Sequence, residues 1–362
     1  MNVYVYTISG VTPNECVGII DNYASFNFTK SFRGCGTWTL KGNFTQEIED
    51  MLKVGNFIFV TPQICGLIQS IEYDTDEKGN VTYVAYGNEI KGVLGFRIVW
   101  DTYSRTVNLR DYVNDMVENN TQGVRQLFSR IDKPQISTAT IDKQISYSNL
   151  LEAIEDVLET AESTDGNPIG FDVVCEDGKR FVFTLLEGVD RTITSDEPVV
   201  ISRDLDNVSN LTYVDSDKEL VNIVKAGGEG EGAERKFVTV GSSHLTGFAR
   251  REVFADCRNL QSTYEDENGD EQTLTDEEYT ALLTAEAKNS LNPVEFTVDA
   301  ESVVDVKTAL EYLGSRVTLQ DRALNVQADD YISEVNIIDE NDGMLVTLTV
   351  GEGVKAKRIV VE

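Results

Sequence analysis

The sequence predicts a mainly β protein with α+β insertions, in which two small β-barrel-like regions flank a mixed middle region. Three observations predict it. Short runs alternating apolar and polar residues recur toward both ends of the chain, the two-residue period of a half-buried strand. The middle carries two helical apolar stripes and a hairpin. The length of 362 residues, 41% of them hydrophobic, exceeds one ordinary core and supplies apolar side chains for two or three.

The first region covers residues 1–100. MNVYVYTI alternates, and FNFTKSFRGCGTWTLKG follows with Phe26, Phe28, Phe32, Trp38 and Leu40. NFIFV, CGLIQSIEY and VTYVAYG continue the strand pattern, with DTDEKGN as the loop between the last two. A short helix interrupts them: Thr45 caps it, Ile48, Met51 and Leu52 form its apolar side, and Gly55 follows its end. Many short strands separated by turns favour a barrel or sandwich over βαβ units.

Residues 101–195 form the mixed region. Asn108 and Asp111 have capping spacing, and Leu109, Tyr112, Val113, Met116 and Val117 follow at helical period. Asn149 and Glu152 repeat the arrangement ahead of Leu150, Leu151, Ile154, Val157, Leu158 and Ala161. IGFDVVCEDGKRFVFTLLEG then reads as a hairpin turning at Asp177-Gly178.

Residues 196–362 return to strands in VVISRDL, NLTYVD, LVNIVKAGG and RKFVTVG. A helical insertion near 275–291 opens on the capping box of Thr275 and Glu278, carries the seam Tyr279, Leu282, Leu283 and Ala287, and stops before Pro293. VEFTVDA, RVTLQD, YISEVNIID and MLVTLTVG close the chain, with Gly343 as a hairpin glycine.

Charge narrows the function classes. With 62 acidic and 31 basic residues the formal net charge is −31, which disfavours uniform attraction to nucleic acid or an anionic membrane. No run reaches the apolar length of a membrane span, and the N-terminus lacks the basic and apolar segments of a secretory signal, so synthesis in a cytoplasm is expected. The five cysteines, Cys16, Cys35, Cys65, Cys175 and Cys257, are scattered and odd in number. That pattern argues against a disulfide framework or a thiolate metal site.

Catalytic patterns are weak. His244 is the sole histidine, and VGSSHLTG around it is not a nucleophile elbow. Asp204 and Asp206 could meet a cation or simply organise a loop. Asp266, Asn268, Asp270 and Glu277 fall at calcium-loop positions, but Glu271 stands where that loop requires glycine. No cofactor is expected.

The most unusual string is VKAGGEGEGAERKF. Gly227, Gly228, Gly230 and Gly232 make its backbone permissive, Glu229, Glu231 and Glu234 charge it, and Arg235 follows. It has neither phosphate-loop nor dinucleotide spacing, and it is read as a tight structural loop or assembly contact. Arg250, Arg251 and Glu252 lie at a spacing that fits either a charge network with this loop, within the chain or between subunits, or an ordinary salt-bridge cluster.

These residues also carry a family resemblance. LVNIVKAGGEGEGAERKFVTVG and TGFARREVFADCRNLQS, with Asn222, Gly228, Gly230, Arg235, Gly247, Arg250, Arg251, Glu252 and Asp256, resemble the siphovirus ReqiPepy-type phage and prophage tail protein family, related in architecture to central baseplate hub proteins. FRGCGTWTLKG, GLIQSIEY, YGNEIKGVLGFRIVW and the closing strands extend the resemblance over nearly the whole chain. It implies a non-enzymatic virion structural protein: a homotrimeric hub at the tail tip, with two related β-domains per subunit. Its implied partners are a tail-tube or distal-tail protein and tip or fibre proteins, around a passage that DNA traverses without specific binding. The alternatives are a carbohydrate-binding tip module, whose Tyr and Trp rings could stack on sugars although most read as strand-associated and buried, and a cell-wall hydrolase.

Overall fold

The computed structural model describes residues 1–159, 161–230, 232, 235–258, 260–265, 271–292, 295–302, 304–323 and 326–351. By internal contacts the chain divides into two units. One holds Met1–Thr212 and Val298–Val350, and the other Tyr213–Thr297.

In the first unit the aromatic alternation noted in the sequence becomes the spine of a large sheet. Phe26, Phe28, Trp38 and Leu40 are all buried, because strands Ser25–Ser31 and Thr37–Asn43 pair antiparallel with these side chains on one face. From there the sheet runs one way to Val81–Asn88 and Ser70–Thr75, and the other way to Val326–Glu340, Gly343–Val350 and Glu295–Ser302. Strand Arg316–Asp321 branches off Val326–Glu340. Thus residues near the two ends of the sequence are hydrogen-bonded neighbours: Lys30 pairs with Val335 and Phe28 with Ile337.

A second sheet orders Thr12–Ile20, Val3–Ser9, Phe57–Thr61 and Ile64–Leu67. The strand Thr12–Ile20 was not anticipated. Its outer residues from Asn14 to Val17 are exposed, so it shows no clear apolar alternation. The mainly β class stands, but the strand orders are open and the sheets do not close into the barrels expected for the two β-regions. A long shared sheet built from both ends of the chain takes the place of one such closure.

The helices begin where their caps predict. In α1 (Gln46–Met51), Thr45 Oγ1 accepts from Ile48 N–H at 3.2 Å. In α2 (Leu109–Asn120), Asn108 Oδ1 accepts from Asp111 N–H at 2.9 Å. In α3 (Leu150–Leu158), Asn149 caps the first turn. The apolar faces of α2 and α3 join strands Ile169–Glu176 and Arg180–Glu187 in one core containing Tyr112, Met116, Ile154, Phe171 and Phe183. The hairpin between those strands turns at Asp177 (φ +53°) and Gly178 (φ +65°), the paired left-handed geometry an Asp-Gly turn favours.

In the second unit, strand Ile223–Gly227 lies between Phe237–Gly241, antiparallel, and Glu252–Asp256, parallel. Helix α4 (Asp276–Asn289) starts on the complete Thr275/Glu278 capping box. Its Tyr279, Leu283 and Ala287 pack with Val224, Ala226 and Cys257 to make this unit's core. A fifth helix, α5 (Val306–Tyr312), escaped the sequence reading. It spans two turns and buries only Ala309 and Leu310, too little to mark a stripe. Among the described residues no helix is long and apolar enough to cross a membrane.

Candidate functional site

The glycine-rich string leaves the end of the central strand of the three-stranded sheet. Gly228 N–H donates to Lys236 O at 2.9 Å and Lys236 N–H to Glu229 O at 3.2 Å, so the string closes back on itself. Gly228 is required by close approach, since a Cβ there would stand 2.4 Å from Tyr279 Oη. Gly230 (φ +98°) and Gly232 (φ +56°) hold left-handed backbone, while Glu231 and Glu234 lie outside the described residues.

Arg235 pins this loop. Its Nε donates to Gly228 O at 3.1 Å, and its Nη2 donates to Gly227 O at 2.8 Å and to Asp256 Oδ1 at 2.6 Å. The same guanidinium lies over Phe237 and Phe254, 5.5 and 5.4 Å from the ring centroids. Asp256 also receives the fork of Arg258, Nε at 2.9 Å and Nη2 at 2.5 Å. Hydrogen bonds from Arg258, and then from Arg235, hold the Asp256 carboxyl at a pKa of about 2.

Glu229 serves the loop twice. Its backbone N–H donates to Tyr279 Oη at 2.6 Å, and its Oε2 accepts from Ser262 N–H at 2.7 Å. The Ser262 contact draws its carboxyl below the ordinary glutamate value. The N–H groups of Gly228 and Glu229 are thus consumed inside the protein, and are not presented as a phosphate cradle would present them.

Arg250, Arg251 and Glu252 sit at the other end of the same sheet, where Ile223 pairs with Glu252. Arg250 forms an ion pair with Glu252. Arg251 Nη2 meets Asp217 Oδ2 at 2.9 Å, and Asn222 Oδ1 accepts from Arg251 N–H at 2.8 Å. Among the described residues these arginines therefore pair locally, and the loop is held by Arg235, Asp256 and Arg258 instead.

The remaining candidates are dispersed. His244 is exposed in the turn after strand Phe237–Gly241. Asp204 faces Arg322 at 3.4 Å, and Asp206 holds a left-handed turn at φ +53°. Asp266, Asn268 and Asp270 lie outside the described residues. Among the described residues no cluster of His, Cys, Asp and Glu has metal-holding geometry.

Sequence reasoning missed a buried charge cluster in the first unit. Lys30 Nζ lies 2.9 Å from Glu89 Oε2 and is ion-paired with Asp172, and Lys91 Nζ lies 3.2 Å from Glu89 Oε1. All four side chains are at most 3% exposed. Lys91 also donates to Ser31 O at 2.5 Å and lies 4.6 Å from the Phe171 ring centroid, while Gly36 N–H donates to Glu89 Oε1 at 2.8 Å. Burial opposes the Lys30 charge, but Asp172 and Glu89 outweigh it and raise its pKa. Burial likewise opposes Glu89, which two lysines hold ionised below its ordinary value. Burial pushes the Asp172 carboxyl up against the pull of Lys30 and Lys91; two lysines thus face two carboxyls, the pairing under which buried charges survive. The available signal was parity: Lys30 shares the inward phase of Phe26 and Phe28.

Comparison with known proteins places this geometry. A family model described as Siphovirus ReqiPepy6 Gp37-like protein matches residues 14–352. No curated protein matches significantly. Among solved structures, the tail protein from Neisseria meningitidis MC58 superposes with a TM-score of 0.58 at 12% identity, covering 97% of each chain. The 43 kDa tail protein of prophage MuSo2 from Shewanella oneidensis gives 0.56 at 12% identity, covering 97% of this chain and 98% of that one. Prophage tail protein gp18 from Listeria monocytogenes EGD-e gives 0.51 at 13% identity, covering 96% and 94%. At such identities the likeness is one of fold.

Proposed function

Because the chain belongs to the Siphovirus ReqiPepy6 Gp37-like family, we propose that it is a structural subunit of a tail or baseplate hub, forming a ring that joins the tail tube to the tip and lines the axial passage. The observation that carries this reading is the family match over residues 14–352, supported by a fold shared end to end with tail proteins of solved structure.

The physical properties suit the role. The work of a hub is symmetry matching and load transfer, which rigid, hydrogen-bonded sheets perform without bond cleavage. The net charge of −31 disfavours adhesion of passing DNA, since like charges repel along the channel wall. A homotrimer, with a tail-tube or distal-tail protein above and tip proteins below, is the assembly this reading entails.

Electron microscopy of native tail particles carrying a labelled copy of the chain tests it. The label is expected on the tail axis, at the junction of tube and tip, in a closed ring. Label confined to the capsid, or a chain found only as a free monomer in mature particles, would overturn the reading.

A further inference from the structure

An aromatic surface of the first unit is unused by anything described above. A 3-10 helix, Ile90–Phe96, ends here and the chain leaves it extended at Arg97; Phe96, Ile98 and Trp100 are exposed while Val99 turns inward. Trp100 is 56% exposed, whereas the other tryptophan, Trp38, is 1% exposed. Val99 N–H donates to Ser148 O, and Tyr147 N–H donates to Val99 O, both at 2.9 Å. Two residues therefore oppose one, with the first left-handed: a bulge position that glycine ordinarily fills. Here it is Tyr147, at φ +55° and with 69% of its surface open to solvent. The backbone bears the cost of a left-handed L residue and gains no burial in return.

Two arginines border these rings. Arg125 lies over Trp100, 5.4 Å from the ring centroid, and Arg97 Nε donates to Arg125 O at 2.8 Å. The other guanidinium nitrogens of the pair donate to the carbonyls of Phe96, Gln126 and Asn119 and to Asn120 Oδ1. Among the described residues neither guanidinium meets a carboxylate, although acids outnumber bases 62 to 31 in the chain. Exposed Trp and Tyr rings beside half-buried Arg side chains are the composition of an interface centre.

We propose that this surface is one half of a head-to-tail contact between copies of this chain, taking an acidic surface of the neighbouring copy. The inference rests on the ring reading above and adds the face that makes the ring. Charge selects both occupant and symmetry. A second copy, with its twofold excess of acid, supplies the missing carboxylates. A two-fold contact would set Arg97 and Arg125 against their own equivalents, with Asp101 the sole acid in residues 95–101. A head-to-tail contact avoids this and can close a ring.

Sedimentation of the purified full chain over a concentration series tests the assignment, with acrylamide quenching of tryptophan fluorescence read in parallel. Wild type is expected to assemble, and Trp100 to be shielded in the assembly. Tyr147→Gly is expected to keep or raise the melting temperature, because it relieves the backbone, while weakening association about tenfold or more. Arg97→Glu with Arg125→Glu is expected to weaken it similarly. If wild type assembles and both folded variants assemble with wild-type affinity, the surface assignment falls and the ring reading stands. If wild type remains monomeric at every concentration, both fall.

Discussion

Lys30 occupies a strand position that its neighbours Phe26 and Phe28 fill with aromatic rings, and it is as buried as they are. Its ammonium is tolerated only because Glu89 and Asp172 surround it, while Lys91 balances the second carboxylate. Lys30→Met would leave an uncompensated buried carboxylate, so a loss of about 3–5 kcal/mol is expected in urea unfolding; a change below about 1 kcal/mol would show that the charges do not depend on one another. Asp256 is the exposed counterpart. Its folded pKa of about 2 lies below the ordinary 3.8, so its contribution is present above about pH 4 and is lost as pH falls toward 2. Melting curves from acid to neutral should therefore show a smaller acid-side decline in Asp256→Asn than in wild type, and a carboxyl titration by NMR should place Asp256 well below its solvent-exposed neighbours.

At the scale of elements, helix starts were readable because a cap is a local event. Asn108, Asn149 and Thr275 each satisfy backbone N–H groups within three residues, so the signal lies inside a short window. Asn149 does more than cap α3: its Nδ2 donates to Gly95 O at 3.0 Å, tying the helix start to the aromatic run. Asn149→Ala is expected to cost about 1–2 kcal/mol and to speed amide exchange at Leu151 and Glu152, the two N–H groups that Asn149 Oδ1 accepts. Exchange unchanged at both would show that the cap carries no stability. The Asp177-Gly178 hairpin was readable for the same reason of locality. Strand Thr12–Ile20 was not, because half of it faces solvent, and α5 was too short to declare a period.

At the scale of the whole molecule, strand composition was readable and strand partnership was not. Nothing in FNFTKSF or YISEVNIID states that they lie side by side, because a ladder is made by backbone groups every residue carries. The candidate loop divided in the same way. Its glycines and Arg235 were evident from their sequence, but the contact of Arg235 with Asp256 follows from parallel pairing of strands some thirty residues apart. That long-range pairing also sets a timetable for the newborn chain. Strand Ser25–Ser31 can pair early with Thr37–Asn43, but its other neighbour, Val326–Glu340, reaches it only after Glu334 has been made, 303 residues after Ser31. At ordinary ribosomal speed that is a wait of about 15–60 s with one sheet edge unfilled. The protein's most exposed moment therefore comes during its synthesis, when a holding chaperone has the most to shield.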